Sequence, residues 1–147
     1  MIKIDQVKEL REQTGVSVSE CKKALEEADG DLKVAKDLLK KWGKDLAGKK
    51  SSREASQGVV ESYLHPNRKI GVLLELNCET DFVAKSNDFR NLAHELCLQI
   101  AASREETPLS EQLWVKDPSK TIKDLIGEYV AKIGENITVK RFERYEI

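Results

Sequence analysis

One stretch, residues 73–91 (LLELNCETDFVAKSNDFRN), constrains the fold more than any other part of the chain. Its first part belongs to an apolar run that is typical of a mostly buried strand: Val72, Leu73, Leu74 and Leu76. Its second part begins a helix, because apolar residues follow on one face at helical spacing: Phe89, Leu92, Ala93, Leu96, Cys97 and Ile100. The stretch therefore predicts a strand that is followed directly by a packed helix.

Between these two elements lie residues 77–83 (NCETDFV), called the corner segment below. We expect a polar loop here that carries the aromatic ring of Phe82 at the point where the chain leaves the sheet. A large apolar side chain exposed on a loop is a candidate contact for a partner. The alternative is that Phe82 packs under its own helix as part of the core, and periodicity alone favours that alternative.

The first part of the chain, residues 1–43, is predicted to form three short helices. Apolar positions make a stripe that stops at Thr14 and Gly15, and Ser17 with Glu20 has capping-box spacing for a second helix. Asp31 is expected to cap a third helix that ends at Gly43. Three helices of this length make a small bundle similar to the ubiquitin-associated (UBA) class, which would serve as a docking module.

The rest of the chain predicts an α+β core. Residues 44–57 read as a basic linker or helix at a domain boundary, and residues 58–77 as a β-hairpin. A long helix over 86–103, an irregular crossing that contains Pro108 and Pro118, a helix over 122–133 and a strand over 137–147 follow. The predicted fold class is α+β: a UBA-like three-helix module (1–43), then a core (58–147) with a small antiparallel sheet packed with helices.

Charge and composition narrow the function. The formal net charge of −1 argues against direct binding of nucleic acid, since phosphate binding needs a positive excess. No apolar run approaches the ~20 residues needed to cross a bilayer, and the start of the chain has no signal-peptide pattern. Three cysteines, an odd number inside predicted elements, suit a reducing cytoplasm better than a disulfide scaffold.

Catalysis by a thiol is the main competing hypothesis. Cys78 follows a strand, but a nucleophilic thiol needs a base, and the chain has two histidines, His65 and His94. His94 and Cys97 share a helix face, yet structural zinc needs four ligands, so we expect no metal and no cofactor. A small thiol enzyme stays open as an alternative, as does a general adaptor that binds through the helical bundle. The pattern favours a binding protein that is not an enzyme.

Three ordered motifs resemble the elongation factor Ts family: ELNCETDFVAKSNDF at 75–89, EQTGVSVSECKKAL at 12–25, and IGENITVKRFERYEI at 133–147. This resemblance implies a guanine-nucleotide exchange factor for elongation factor Tu, which would bind that GTPase in its GDP-bound and nucleotide-free forms. It also implies that Asp81 and Phe82 press on the nucleotide domain and disturb the magnesium and phosphate site. Asn77 and Thr80 would shape the segment, and Val83 would anchor its far side.

The resemblance further implies that the N-terminal module grips the nucleotide domain through residues around its first turn: Thr14, Gly15, Val16, Val18, Cys21 and Lys22. The family commonly has a smaller turn, richer in glycine and methionine, where this chain has residues 16–19 (VSVS). Members of the family are also commonly longer between the two core helices, so this chain is a short form with a minimal core. We expect its exposed sheet surface to form a homodimer.

Overall fold

The computed structural model describes residues 2–104 and 106–147. In these two ranges the chain forms six α-helices and five strands, in the following order: α1 (Ile4–Thr14), α2 (Val18–Glu27), α3 (Leu32–Lys50), β1 (Gln57–Leu64), β2 (Ile70–Cys78), α4 (Asp81–Ala84), α5 (Asn87–Ala102), β3 (Leu113–Trp114), β4 (Asp117–Thr121), α6 (Ile122–Ile133) and β5 (Thr138–Glu146). The α+β class and the antiparallel pairing predicted from the sequence are confirmed.

The N-terminal helices begin and end where the sequence places its caps. The Ser17 hydroxyl accepts a hydrogen bond from the Glu20 N–H, and the Asp31 carboxylate accepts one from the Val34 N–H. Gly15 ends α1 in the left-handed conformation at φ 72°, which a residue without a side chain adopts at no steric cost. The three helices enclose their own small apolar core around Leu10 and Leu25.

The predicted end of the third helix at Gly43 is wrong. The helix α3 continues to Lys50, and Gly43 is buried inside it. A Cβ at Gly43 would lie 3.3 Å from the Cβ of Ala131, so the glycine lets α3 approach α6 closely. A glycine in a helix interior costs only about 1 kcal/mol, which the packing against α6 offsets.

The main sheet has the strand order β1-β2-β5 and is antiparallel throughout. The helix α5 packs directly on β1 and β2, while α6 packs against both α5 and α3. Side chains from the sheet, α5 and α6 form the larger core, which includes the fully buried residues Leu74, Leu76, Phe89, Leu96 and Ile122. The Arg144 guanidinium donates to the carbonyls of Ile100 and Ala101, so β5 satisfies the carboxyl end of α5.

The predicted irregular crossing near Pro108 and Pro118 contains a second small sheet that periodicity did not reveal. The strands β3 and β4 pair as a short antiparallel hairpin. The side chain of Gln99, buried in α5, holds it by donating to Gln112 Oε1 and Leu113 O and accepting from the Val115 N–H. A two-residue strand carries too little pattern to be predicted, and its position depends on this buried glutamine.

Among the described residues, buried apolar side chains form two clusters, one in the N-terminal helices and one in the sheet and later helices. Because α3 runs from the first cluster to Ala47 beside the second, one continuous helix joins them. The division into residues 1–43, 44–57 and 58–147, and the UBA-like character of the module, stay predictions. No helix in the described ranges is long and apolar enough to span a membrane.

Candidate functional site

The corner segment is more ordered than the predicted polar loop. The strand β2 extends to Cys78, and the short helix α4 begins at Asp81. The Thr80 hydroxyl caps α4 by accepting a hydrogen bond from the Val83 N–H at 3.2 Å. A single helical turn therefore carries the two residues that the family resemblance singles out.

Within that turn, Phe82 points away from the protein and is 82% exposed. The alternative that its ring packs under its own helix is therefore wrong. The adjacent Asp81 carboxylate is also exposed, and it makes no ion pair or side-chain hydrogen bond with any residue in the described ranges. Val83 and Ala84, on the opposite side of the turn, are buried in the main core and anchor it.

The start of the corner segment is held against β1. Asn77, a buried polar residue, pairs with Gly58 across the sheet. A Cβ at Gly58, whose φ is 156°, would lie 2.1 Å from the Leu76 carbonyl oxygen. Only glycine allows the two strands to approach this closely, and the approach sets where the corner segment leaves the sheet.

A carboxylate from the other end of the core holds the middle of the corner segment. Glu135, in the turn between α6 and β5, accepts hydrogen bonds at Oε1 from the N–H groups of Glu79 (3.1 Å) and Thr80 (3.0 Å). Its Oε2 accepts a third hydrogen bond, from the Thr80 hydroxyl, at 2.8 Å. The Glu79 carboxylate in turn accepts a hydrogen bond from the Asn136 N–H at 2.7 Å. Each of the two segments thus satisfies backbone donors of the other.

The same turn is also tied to the end of the N-terminal part. The Asn136 side-chain amide donates to the Arg53 carbonyl at 2.7 Å, and the Arg53 guanidinium lies 3.7 Å from the Glu79 carboxylate. Lys50, the last residue of α3, donates from Nζ to the Gly134 carbonyl. Residues 134–136, called the junction turn below, therefore contact α3, the linker and the corner segment.

The second predicted contact region surrounds the turn between α1 and α2. Thr14 donates to the Leu10 carbonyl at 2.7 Å and accepts from the Val16 N–H at 3.3 Å, so its side chain serves the turn. Gly15, Val18 and Lys22 are exposed, and Val16 packs partly on the core of the module. The exposed members of this predicted set form an accessible surface.

Cys21 requires a correction. The family resemblance implies that it touches the partner, but its side chain is fully buried between the helices of the module. Its Sγ donates to the Val16 carbonyl at 3.6 Å, and burial raises the pKa of its thiol. Cys21 can therefore support the turn from beneath but cannot contact another protein directly.

One side chain spans the distance between the two predicted regions. The end of the Lys132 side chain lies beside Gly15, since a Cβ at Gly15 would be 3.4 Å from Lys132 Cε. The Lys132 ammonium lies 3.3 Å from Asp88, in the first turn of α5 that follows the corner segment. The tertiary structure thus places residues far apart in sequence on neighbouring parts of one surface.

A groove of about 490 Å³ lies between α3 and the wall made by β4 and α6. Its charged lining is mixed, with five lysines (Lys33, Lys36, Lys40, Lys44 and Lys120) and four carboxylates (Asp37, Asp117, Asp124 and Glu128). Lys120 pairs with Glu128 at 2.9 Å. Because the charges nearly balance, the groove shows no electrostatic preference for an anion or a cation.

The thiol chemistry considered for Cys78 has no support in the geometry. The side chain is fully buried, and burial, followed by the charge of Glu135, raises the pKa of its thiol to about 11. His65 lies just beyond the other end of the hairpin, where it bonds to the Tyr63 hydroxyl at 2.9 Å. A protonated thiol without a base beside it is a poor nucleophile. In the described ranges no group of three or more metal-ligating side chains is assembled.

Sequence reasoning missed the residues that hold the corner segment in place. Glu79, Glu135 and Asn136 lie inside the family-like motifs, but the sequence assigns them no role, because polar and charged side chains in loops usually face solvent. The glutamates sit 56 residues apart in the chain, and no local pattern links them. Their occurrence in two separate family-like motifs was the available signal.

Comparisons of the sequence with a family model and with known proteins match this chain to the same family. A sequence model of the family described as "Elongation factor TS" matches residues 79–147. "Elongation factor Ts" of a Thermoanaerobacter species is 40% identical over 193 aligned positions, covering 99% of this chain and 95% of the relative. The relative of the same name from Herpetosiphon aurantiacus is 42% identical, with coverage of 99% and 98%. The one from Syntrophomonas wolfei is 42% identical over 194 positions, with coverage of 100% and 91%.

The alignments are longer than the chain itself. They span 193 or 194 positions, whereas this chain has 147 residues, so the relatives contain residues that have no counterpart here. The prediction of a short form is therefore confirmed. The corner segment from Glu79 onwards and the junction turn both fall inside the region matched by the family model.

Proposed function

Because the chain belongs to the elongation factor Ts family, we propose that it is a guanine-nucleotide exchange factor for elongation factor Tu in translation elongation. It binds the GDP form and the nucleotide-free form of that GTPase and promotes release of GDP. It makes or breaks no covalent bond, and it needs no cofactor or nucleic acid of its own. Its place of action is the cytoplasm, where translation occurs.

The observation that carries this proposal is the exposed ring of Phe82 on a capped and anchored helical turn. Exposure of a large aromatic side chain is unfavourable in the free protein, and its burial in a partner's apolar pocket returns about 1.5–3 kcal/mol. In the proposed mechanism the ring enters the nucleotide domain as a wedge, and the Asp81 carboxylate makes a polar contact beside it. Displacing the elements that hold magnesium weakens GDP binding, because the ion bridges the phosphates.

Phe82 cannot supply the whole effect. An acceleration of about ten-thousandfold would require the barrier to fall by ~5.5 kcal/mol, more than the burial of one ring provides. The remainder comes from binding at surfaces away from the nucleotide, which holds the partner in a distorted state. Such negative coupling between factor and nucleotide is reciprocal, so GDP must also weaken binding of the factor.

The N-terminal module provides one such remote surface. Gly15, Val18 and Lys22 are exposed there, and Thr14, Val16 and Cys21 shape the turn that presents them. Exposed apolar and cationic groups together suit a mixed protein surface rather than an anionic polymer. The module therefore acts as the grip, and the corner segment acts as the wedge.

The proposal includes a homodimer through the outer face of the main sheet. Four apolar side chains on that face are exposed, from all three strands: Val60, Leu64, Leu73 and Tyr145. A cluster of this kind on a soluble protein commonly marks an interface. Pairing two identical faces about a twofold axis would bury both copies of the cluster.

The test is the rate of GDP release from elongation factor Tu, followed by stopped-flow fluorescence with a labelled GDP. We expect the wild-type chain to accelerate release and Phe82→Ala to lose most of that acceleration while remaining folded. The matched control is Leu113→Ala, which removes another exposed apolar side chain, on the hairpin of β3 and β4. If the wild-type chain did not change the rate of GDP release from elongation factor Tu, the proposed function would be overturned.

The adaptor hypothesis makes a different prediction in the same experiment. A general adaptor would need only the N-terminal helices, so Phe82→Ala would leave its binding and its effect unchanged. An exchange factor needs both the N-terminal module and the corner segment. Phe82→Ala should therefore reduce the rate of GDP release much more than it reduces the affinity for elongation factor Tu.

A further inference from the structure

The direction of the Phe82 ring is set by the backbone of α4 and not by packing of the ring. The ring is 82% exposed, and the helix that carries it has only four residues. A helix of one turn is not stable by itself. Packing of Val83 and Ala84 in the main core anchors one side of the turn, and contacts at its start must complete the orientation that presents Phe82.

A continuous chain of hydrogen bonds leads from Glu135 to that turn. The Thr80 hydroxyl donates to Glu135 Oε2 at 2.8 Å and accepts from the Val83 N–H at 3.2 Å. Glu135 Oε1 also accepts from the backbone N–H groups of Glu79 and Thr80. Hydrogen bonds to an ionised carboxylate are roughly twice as strong as neutral ones. The carboxylate therefore fixes both the backbone that enters α4 and the hydroxyl that caps it.

Glu135 is itself held in place from a second direction. It belongs to the junction turn, where the Lys50 ammonium donates to the Gly134 carbonyl and the Asn136 amide donates to the Arg53 carbonyl. Lys50 ends α3, whose other end lies in the N-terminal module. The carboxylate is thus anchored on elements that continue into the grip.

We propose that Glu135 is a positioning residue for nucleotide exchange, which holds the Thr80 cap so that the α4 turn presents Phe82 rigidly to the partner. The inference rests on the proposed function and deepens it. If the α4 turn could rotate, the Phe82 ring would move aside instead of displacing groups of the partner. A rigid turn therefore lets more of the binding free energy be used to distort the nucleotide site. Glu135 acts through Thr80 and Phe82 and has no contact with nucleotide.

The first test is the maximal rate of GDP release at saturating factor, measured separately from the factor concentration that gives half the maximal rate. For Glu135→Ala we expect the maximal rate to fall about tenfold, which corresponds to ~1.4 kcal/mol, with the half-saturating concentration within about twofold of wild type. A fall in affinity with an unchanged maximal rate would overturn the inference.

The matched control is Gln99→Ala. That substitution also removes a side chain with three internal hydrogen bonds, but these hold the hairpin of β3 and β4 instead of the corner segment. We expect both substitutions to lower the free energy of unfolding. At a temperature where circular dichroism shows both variants folded, only Glu135→Ala should reduce the maximal rate of GDP release. If Gln99→Ala does not fold, Asp124→Ala takes its place, because it removes the carboxylate that accepts from the Thr121 N–H in the capping box of α6.

Two further variants separate positioning from general weakening of the fold. Glu135→Gln keeps an oxygen that can accept hydrogen bonds from the two backbone N–H groups. On a logarithmic scale, we expect its maximal rate of GDP release to lie about midway between those of Glu135→Ala and the wild-type chain. In the double variant Phe82→Ala with Glu135→Ala, the loss of the maximal rate should be clearly smaller than the sum of the two single losses, because only the Asp81 contact is left on the turn to be positioned. Additive losses in the double variant would overturn the inference.

Amide hydrogen exchange supplies a readout that does not depend on activity. We expect Glu135→Ala to increase exchange at the Thr80 and Val83 amides at least about tenfold, with Gln99→Ala leaving both unchanged. Unchanged protection at these amides would overturn the positioning role even if GDP release slowed. If the wild-type chain does not accelerate GDP release while the amides respond as expected, the proposed function is wrong, but Glu135 still holds the α4 turn.

Discussion

The Lys132 ammonium lies 3.3 Å from the Asp88 carboxylate, and the end of the same side chain runs beside Gly15. Lys132 is in α6, Asp88 is in the first turn of α5, and Gly15 ends α1 in the N-terminal module. One lysine therefore lies between the turn that forms the proposed grip and the helix that follows the proposed wedge.

Replacing Lys132 tests whether binding requires a fixed orientation of the N-terminal module relative to the corner segment. The pair is partly exposed, so Lys132→Ala should lower the free energy of unfolding by less than about 1 kcal/mol. Binding to elongation factor Tu should weaken about two- to fivefold, because the module is then less firmly oriented. Lys116→Ala, which breaks the pair between a similarly accessible lysine and the more buried Glu95, is the control. Equal effects of the two variants on a calorimetric titration would contradict this role.

Asp81 should contribute to exchange, but less than Phe82. One polar contact is worth about 0.5–1.5 kcal/mol net, so Asp81→Ala should slow GDP release about two- to tenfold. Asp5→Ala is a matched control, since Asp5 is also an exposed acidic residue in the first turn of a helix. Stopped-flow measurement of GDP release with the wild-type chain, Asp81→Ala, Asp5→Ala and Phe82→Ala tests this, and a larger loss for Asp81→Ala than for Phe82→Ala would reverse the assigned roles.

Gly58 should tolerate no side chain. In Gly58→Ala the new Cβ would lie 2.1 Å from the Leu76 carbonyl oxygen, so β1 must shift and the free energy of unfolding should fall by about 2–3 kcal/mol. Gly48→Ala is the opposite case, because no atom beyond the neighbouring residues and backbone of α3 itself lies within 4 Å of the added Cβ. Gly48→Ala should stabilise the protein by up to about 1 kcal/mol. Urea denaturation measures both, and comparable values would mean that the close approach of β1 and β2 is not maintained in solution.

Cys78 should react slowly with alkylating reagents and should not be needed for exchange. Its thiol has a pKa of about 11, raised by burial and by the charge of Glu135, so the reactive thiolate is scarce at pH 8. Because the raised pKa keeps the thiol protonated, labelling between pH 7 and 9.5 should rise about tenfold per pH unit without levelling off. Peptide mass mapping follows Cys78 separately from the other cysteines, and the urea-unfolded chain is the control. Levelling off near pH 8 would show a lowered pKa, and loss of exchange in Cys78→Ala would revive the thiol hypothesis.

The outer face of the main sheet should govern association. Sedimentation velocity at high micromolar concentration should give a dimer for the wild-type chain and a monomer for Leu73→Lys. The new lysine faces Glu143 on β5, so the fold should be preserved. Leu113→Lys places the same charge on another exposed apolar position as the control. A monomeric wild-type chain would end the dimer proposal.

Local patterns predicted most of the secondary structure because they report local physics. Apolar spacing and caps placed α5 to within a residue at its start, since the Ser86 hydroxyl accepts a hydrogen bond from the Phe89 N–H as its position implied. The end of α3 was mispredicted because Gly43 is a common stop signal, and only the nearby Ala131 explains why the helix continues. The hairpin of β3 and β4 was missed for the same kind of reason, since Gln99 on another element holds it.

By itself, the sequence determined the α+β class, the family, and the identity of Asp81 and Phe82 as the residues of interest. Only the tertiary structure decided that Phe82 is exposed, that Cys21 is buried, and that Glu135 reaches Thr80, which lies 55 positions earlier in the chain. Caps and periodicity depend on neighbours within one or two turns of the chain, so they can be read in order. The direction of a ring and the partners of a carboxylate depend on which distant segments pack together, and no local pattern records that.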